Sequence, residues 1–240
     1  MRRGQKVILM PLLGLVGLIG TFSGVAVVAQ SGESSITLGE SQELREILNA
    51  DGSLASISTF VDGVKHGKER HFYPTGELRL VLSHIKGIQE GIETHYYQGG
   101  EKKAEISYAR GKRNGVMTSW YPSGQLLGVA QFVDDHHDEK SYAWYESGQL
   151  KAEGAFLDGH QHGIEIQYYE NGRKKAEGNF LKGKLDGLAR QWHANGQLLS
   201  EIVYEEGVMT SELSFWDENG SPITEQEMSE RYGDPSGFVH

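Results

Sequence analysis

The residues best equipped for chemistry lie in one short run, DDHHDE at 134–139, followed by His160 and His162. Imidazole and carboxylate together suit a zinc-like ion. His136 and His160 are 24 residues apart, and so are Asp138 and His162. If the two segments are adjacent hairpins, equivalent residues stand two strand spacings apart, about 10 Å. His136, Asp138, His160 and His162 are then candidate metal ligands, although the spacing matches no zinc motif. The alternative is a solvated polar loop. Catalytic signals are weaker still. The chain has no G-x-S-x-G, no phosphate-binding P-loop and no H-E-x-x-H. Glu105, Glu153, Glu177 and Glu201 also recur at 24-residue intervals or multiples of them. An acid–base pair needs two carboxylates in unlike surroundings, and a repeated position supplies like ones. They read as solvated strand charges. No enzyme activity and no cofactor is expected.

What must position all these residues is a 24-residue unit that recurs without insertion or deletion. It opens on Gly52, Gly76, Gly100, Gly124, Gly148, Gly172, Gly196 and Gly220. A fixed period in the range of 20–50 residues marks a stacked repeat architecture. With each opening glycine as position 1, position 3 is mostly Leu, as in Leu54, Leu78 and Leu150. Position 9 is aromatic in Phe60, Tyr108, Phe132, Phe156, Phe180 and Tyr204, with His84 the exception. Position 12 is Gly in six copies and position 16 in five. The copy opening at Gly124 departs, with Asp135 and Glu139 at those two places.

Each unit reads as a β-hairpin. Positions 3–10 and 17–22 are rich in aromatic and β-branched residues and are bounded by turn residues. The junctions YPTG, YPSG, YESG, YENG and DENG suit a type I turn ending on a left-handed glycine. A longer G-x-x-x-G loop is expected to close the other end. A lone hairpin is marginal in water, so the copies should pair edge to edge. The fold class expected is all-β, an elongated single-sheet array of antiparallel hairpins. Sixteen or so strands give a ribbon roughly 75 Å long.

Two adjacent positions carry rings. Position 21 holds Phe72, Tyr96, Trp120, Trp144, Tyr168, Trp192 and Trp216. Position 22 holds Tyr73, Tyr97, Tyr121, Tyr145 and Tyr169, then His193 and Asp217. Neighbours on a strand point to opposite faces. Position 21 persists to the end and is assigned to the packed side, as structural aromatics. The tyrosines lie on the wetter side, either as a partner-binding strip, since Tyr is favoured at interfaces, or as braces for the hairpin ends.

The pattern F-L-x-G-x-x-x-G-x-x-x-x-Y-Y-x-N-G resembles the MORN-repeat variant of bacterial proteins, many of them labelled antitoxin-like. The resemblance covers about residues 36–220. It implies a non-catalytic interaction protein with a protein partner and, more weakly, an antitoxin or immunity role. Aromatic and glycine-rich hairpins also resemble choline-binding wall modules, with W-Y at 120–121 and 144–145 as the shared feature. That alternative implies a cell-envelope glycan bound on aromatic ladders.

The ends differ from the body. Residues 1–6, MRRGQK, are basic, and 7–29 carry no charge. This is an N-terminal apolar helix, either a signal peptide cleaved before Gln30 or a membrane anchor. Both readings place the remainder in the cell envelope, outside the cytoplasm. Only residues 7–29, if uncleaved, would touch a membrane. Residues 30–35 read as a polar tether. Residues 36–51 read as a degenerate half-repeat, with a short capping helix as the rival. Residues 36–220 form the repeat domain and 221–240 a tail or cap.

Composition narrows the partners. The chain has 23 Lys and Arg against 33 Asp and Glu, and no cysteine. An acidic body argues against nucleic acid. Without cysteine there are no disulfides, no thiolate chemistry and no lipoprotein anchor.

Overall fold

A computed structural model of the protein describes residues 41–232, together with the backbone of Val27–Gln30 and Glu33–Thr37. The described residues form one antiparallel sheet in which each strand pairs with its neighbours in the chain. All-β hairpin stacking is thus as expected. The apolar segment lies outside the described residues except at its end, where Val27–Gln30 is a strand. Among the described residues no helix is long and apolar enough to cross a membrane. Residues 30–35 were expected as a tether, yet Glu33–Thr37 pairs with both Val27–Gln30 and Gln42–Leu48. ELREILN, helical by propensity, is extended. Strand Gln42–Leu48 meets Leu54–Val61 with Leu48 opposite Leu54, as Phe72 lies opposite Leu78 one repeat later. Tertiary pairing overrides helix propensity here.

The repeat junctions follow the expected turn. In Tyr73–Glu77 the Gly76 N–H donates to Tyr73 O at 2.8 Å and the Tyr73 N–H to Glu77 O at 2.8 Å. Gly76 has φ 92°, which only a residue without Cβ adopts cheaply. The far end differs from expectation. Strand Leu54–Val61 reverses into Val64–Phe72 through two residues, Asp62 (φ 50°) and Gly63 (φ 75°). Two positive φ values make a type I′ turn, whose twist matches that of the strands. The G-x-x-x-G segment is therefore not a loop. Its second glycine sits within the strand at a register break, between the pairs Ser58–Glu69 and Phe60–Lys65. A second break recurs at each junction, between His71 and Phe72 and at every equivalent pair up to Gln191 and Trp192. Each hairpin thus carries two β-bulges.

The bulges decide which face is packed. By the pleat, positions 5, 7, 9, 18 and 20 share one face, and positions 3, 10, 17 and 21 share the other. The buried strand residues fall on the first face, among them Leu82, Ala104, Phe132, Ala189, Ile202 and Phe215. Position 21, assigned to the packed side from sequence, lies on the opposite face, and its rings are only half-buried. The junction bulge admits one extra residue, so a plain count along the strand misassigns the face beyond it.

The C-terminal residues cap the array. Pro222–Ile223 pairs with Ser214–Trp216, and the helix Glu225–Tyr232 follows. Thr224 and Glu227 form a capping box: Thr224 Oγ1 accepts from the Glu227 N–H at 3.2 Å, and Glu227 Oε2 accepts from the Thr224 N–H at 2.9 Å. Met228, at the position of the missing ring, is buried.

Candidate binding faces

The tyrosine ladder has a definite job. Each hydroxyl donates to the carbonyl that lies 23 residues on, in the following repeat. The distances are 2.8 Å for Tyr73 to Tyr96, 2.9 Å for Tyr97 to Trp120, and 2.9 Å for Tyr121 to Trp144. Tyr145 reaches Tyr168 at 2.8 Å and Tyr169 reaches Trp192 at 2.7 Å. His193 continues the row, its Nε2 2.8 Å from Trp216 O. The five hydroxyls are committed to the next repeat and the rings are half-buried. This is the bracing role. A polar group beside half-buried backbone is best satisfied within the fold.

The histidines do not gather. Among the described residues no three His, Asp or Glu side chains are placed to hold a metal ion. His136 lies over Gly159 and His160 over Gly183, each on the turn of the following repeat. His160 Nδ1 is 3.0 Å from Asp158 O. The four candidates therefore stack along the ladder in place of converging across it. His137, which sequence reasoning passed over, packs between Phe132 and Phe156 with ring centroids 4.5 and 4.4 Å away. Burial, then the nearby Arg113 charge, holds its pKa below the usual value.

The departing copy keeps the repeat backbone without its glycines. Asp134, Asp135 and Glu139 all have positive φ, at 46°, 73° and 55°. Asp135 is held by the preceding repeat: its Oδ1 accepts from the Arg113 N–H at 2.9 Å and from Arg113 Nε at 3.2 Å. The Arg113 guanidinium also lies 4.3 Å from the Phe132 ring centre.

Two further surfaces emerge. On the open face, positions 10 and 17 expose apolar side chains copy after copy. Position 17 gives Ile92 (57%), Val116 (47%) and Ile164 (57%), and position 10 gives Ile85, Val133, Leu157 and Leu181. At the junction end of that face Lys102 lies 6.0 Å from the Trp120 ring and Lys174 5.7 Å from Trp192. Of the recurrent glutamates on this side, Glu105 accepts from Lys102 at 2.5 Å, Glu177 from Lys174, and Glu201 from Arg190 at 2.8 Å. Glu153 accepts from the Tyr168 hydroxyl at 2.7 Å. That bond, with burial, pushes the Tyr168 pKa up to about 12.

On the packed face, positions 14, 18 and 20 form donor–carboxylate–donor rows. Glu69 takes Lys65 at 2.7 Å and His71 at 3.0 Å, and Glu93 takes Gln89 and His95, both at 2.6 Å. Glu165 takes Gln161 at 2.6 Å and Gln167 at 3.1 Å. Beyond Glu165 the row turns apolar, with Leu185 and Ala189 packed near Ile202 and Tyr204. A cavity of about 1010 Å³ opens at this change. The sequence does hold the signal, as Gln, Glu and Gln at positions 14, 18 and 20, but it shows only once the bulges fix which residues share a face.

Five segments match the MORN repeat variant: residues 65–85, 89–109, 113–134, 161–182 and 185–206. Over those segments the chain is similar to the MORN repeat variant. The matches begin just past the type I′ turn of one hairpin and end at that of the next, so each contains one junction. The unmatched gap, 135–160, begins at Asp135, where the departing copy lacks its glycine. Such repeats make a repeat-based binding scaffold. No curated protein matches the chain in sequence. Among solved structures, a porin-like protein from Bacteroides uniformis aligns at 9% identity over 79% of this chain and 92% of its own, with TM-score 0.20. TcdB2-TccC3 aligns at 10% identity over 77% of this chain but only 16% of its own, with TM-score 0.18. At such scores neither bears on what these MORN-variant repeats do.

Proposed function

We propose that the protein is a non-catalytic protein–protein interaction scaffold, exported or membrane-tethered through residues 7–29, with an antitoxin- or immunity-like role as its narrowest form. The observation that carries this is the exposed apolar ladder at positions 10 and 17. Ile85, Ile92, Val116, Leu157 and Ile164 share one face and are more than two-fifths exposed. Contiguous exposed apolar surface on a soluble protein marks an interaction site. The regular stride suits a partner that is itself extended.

The test places a photo-crosslinking residue at Ile92, Val116 or Ile164 in cells. The expected result is a discrete protein adduct from all three, lost when the other two positions are changed to Asp. Adducts to lipid alone, or none from any site, would reject the scaffold. Fractionation and the mass of the mature N-terminus would test export and cleavage.

A glycan partner is the second reading. It is favoured by the half-buried Trp120, Trp144 and Trp192 on the same face, two of them with a lysine nearby. Retention on purified wall material, abolished by Trp120→Ala and Trp144→Ala together, would replace the first reading with this one.

A further inference from the structure

The cavity on the packed face has an unusual carboxylate. In the two earlier rows the glutamate has a cationic or protonatable neighbour: Lys65 and His71 for Glu69, and His95 for Glu93. In the row at 161–167 both neighbours are neutral amides, from Gln161 and Gln167. Among the described residues Glu165 forms no ion pair. It lines the cavity. Lys175 also lines it but makes no bond to Glu165.

Aromatic and apolar side chains line the same cavity, among them Phe180, Leu185, Tyr204 and Tyr232. Position 7 is Gly178 here, as it is Gly154 one repeat earlier, where three other copies put Leu82, Ile106 and Ile202, and Leu185 closes over it. A Cβ on Gly178 would stand 2.8 Å from Leu185 Cδ2. The cavity therefore offers a carboxylate without an ion pair together with aromatic rings. A planar guanidinium meets both demands: it bonds a carboxylate in a fork and stacks on rings, while its aliphatic stem covers apolar surface.

We infer that this cavity receives an arginine side chain of a partner polypeptide. This rests on the scaffold reading and names one contact within it. The stem lies against Leu185 and Phe180, and the guanidinium donates to Glu165 between Gln161 and Gln167.

The experiment is calorimetric titration of the whole protein with acetyl-Ala-Leu-Arg-Leu-Ala-amide. The comparison peptide has citrulline, its neutral isostere, in place of Arg. The expected result is saturable binding of the Arg peptide, about tenfold or more tighter than the citrulline peptide. Glu165→Gln should weaken the Arg peptide by about tenfold without changing Tm. Glu177→Gln, the same charge change on the other face, should leave it unaltered. Equal binding of the citrulline peptide would overturn the inference, leaving an apolar groove. Equal losses from Glu165→Gln and Glu177→Gln would reduce it to the general negative field. Methylguanidinium alone binding as tightly as the peptide would make the ligand a free cation. Absence of saturable binding would also overturn it. If adducts at Ile92, Val116 and Ile164 persist in that last case, the scaffold stands and only the cavity's role falls.

Discussion

Removing the hydroxyls of Tyr97, Tyr121 and Tyr145 should loosen the joints between successive repeats. Tyr→Phe keeps each ring and deletes only the bond to the carbonyl of Trp120, Trp144 or Tyr168, at 2.9, 2.9 and 2.8 Å. A neutral hydrogen bond contributes about 1 kcal/mol net. The three sites are one repeat apart, about 10 Å, and share no partner, so their effects should add to about 3 kcal/mol. For a chain of this size each kcal/mol lowers Tm by about 2–4 °C, so the triple variant should melt about 6–12 °C lower. Because stability in an array is a sum over neighbouring units, the melt should also broaden as the two halves uncouple. Differential scanning calorimetry of the singles, the doubles and the triple measures this. Tyr108→Phe, a ring on the packed face whose hydroxyl has no such bond, is the control and should change little. A triple variant melting within about 2 °C of the parent, or no lower than Tyr108→Phe, would refute the bracing argument. Loss of partner capture at unchanged Tm would return the ladder to a binding strip.

Three other changes have definite expected outcomes. Glu139→Gly should stabilise the protein by about 1 kcal/mol in urea unfolding, because Glu139 holds φ 55° at a place where other copies have glycine. Acid should weaken the protein in two stages. Burial holds His84 and His137 below the usual 6.5, so their contribution is complete above that value and is lost as pH falls through their folded values. Burial would raise the Glu69 carboxyl, but Lys65 and His71 outweigh it and hold it below 4.5; its contribution is lost at the lower pH. Tm against pH, with His84→Phe and His137→Phe flattening the first stage and Glu69→Gln the second, checks both. In spectrophotometric titration one tyrosine should ionise near pH 12, and Glu153→Gln should remove that late step.

The period, the hairpins and the junction turns were legible because they depend on local backbone needs. A glycine at Gly76 or Gly220 announces a positive φ on its own. The packed face was not legible. It depends on two bulges per hairpin, and a bulge leaves no residue signature beyond the glycine at position 16, which resembles loop glycine. Trp120 and Trp144 are assigned to the packed side from sequence because their column persists along the array, and persistence is the same on either face. The Glu165 cavity was hidden by the bulges. Gln161, Glu165 and Gln167 look like scattered polar residues until the register aligns them. The histidine cluster erred through geometry. Equivalent residues in stacked hairpins lie in file, so His136 and His160 follow one another.

The bonds from Tyr73 through His193 give the array a grain. In this row each side chain bonds into the following repeat and none into the preceding one, so the two ends of the row are not interchangeable. Shortening from the front would remove a donor together with its repeat and strand no hydroxyl of the row. Shortening from the back would strand a hydroxyl with nothing to hold. The final unit is built for that role: Asp217 replaces the ring and turns inward, accepting from the Asn219 and Ser221 N–H groups at 2.9 Å each. A lineage could therefore lengthen or trim such a protein at its front by whole units, while the terminus that ends in Asp217 and the Thr224 helix must be inherited as a finished piece.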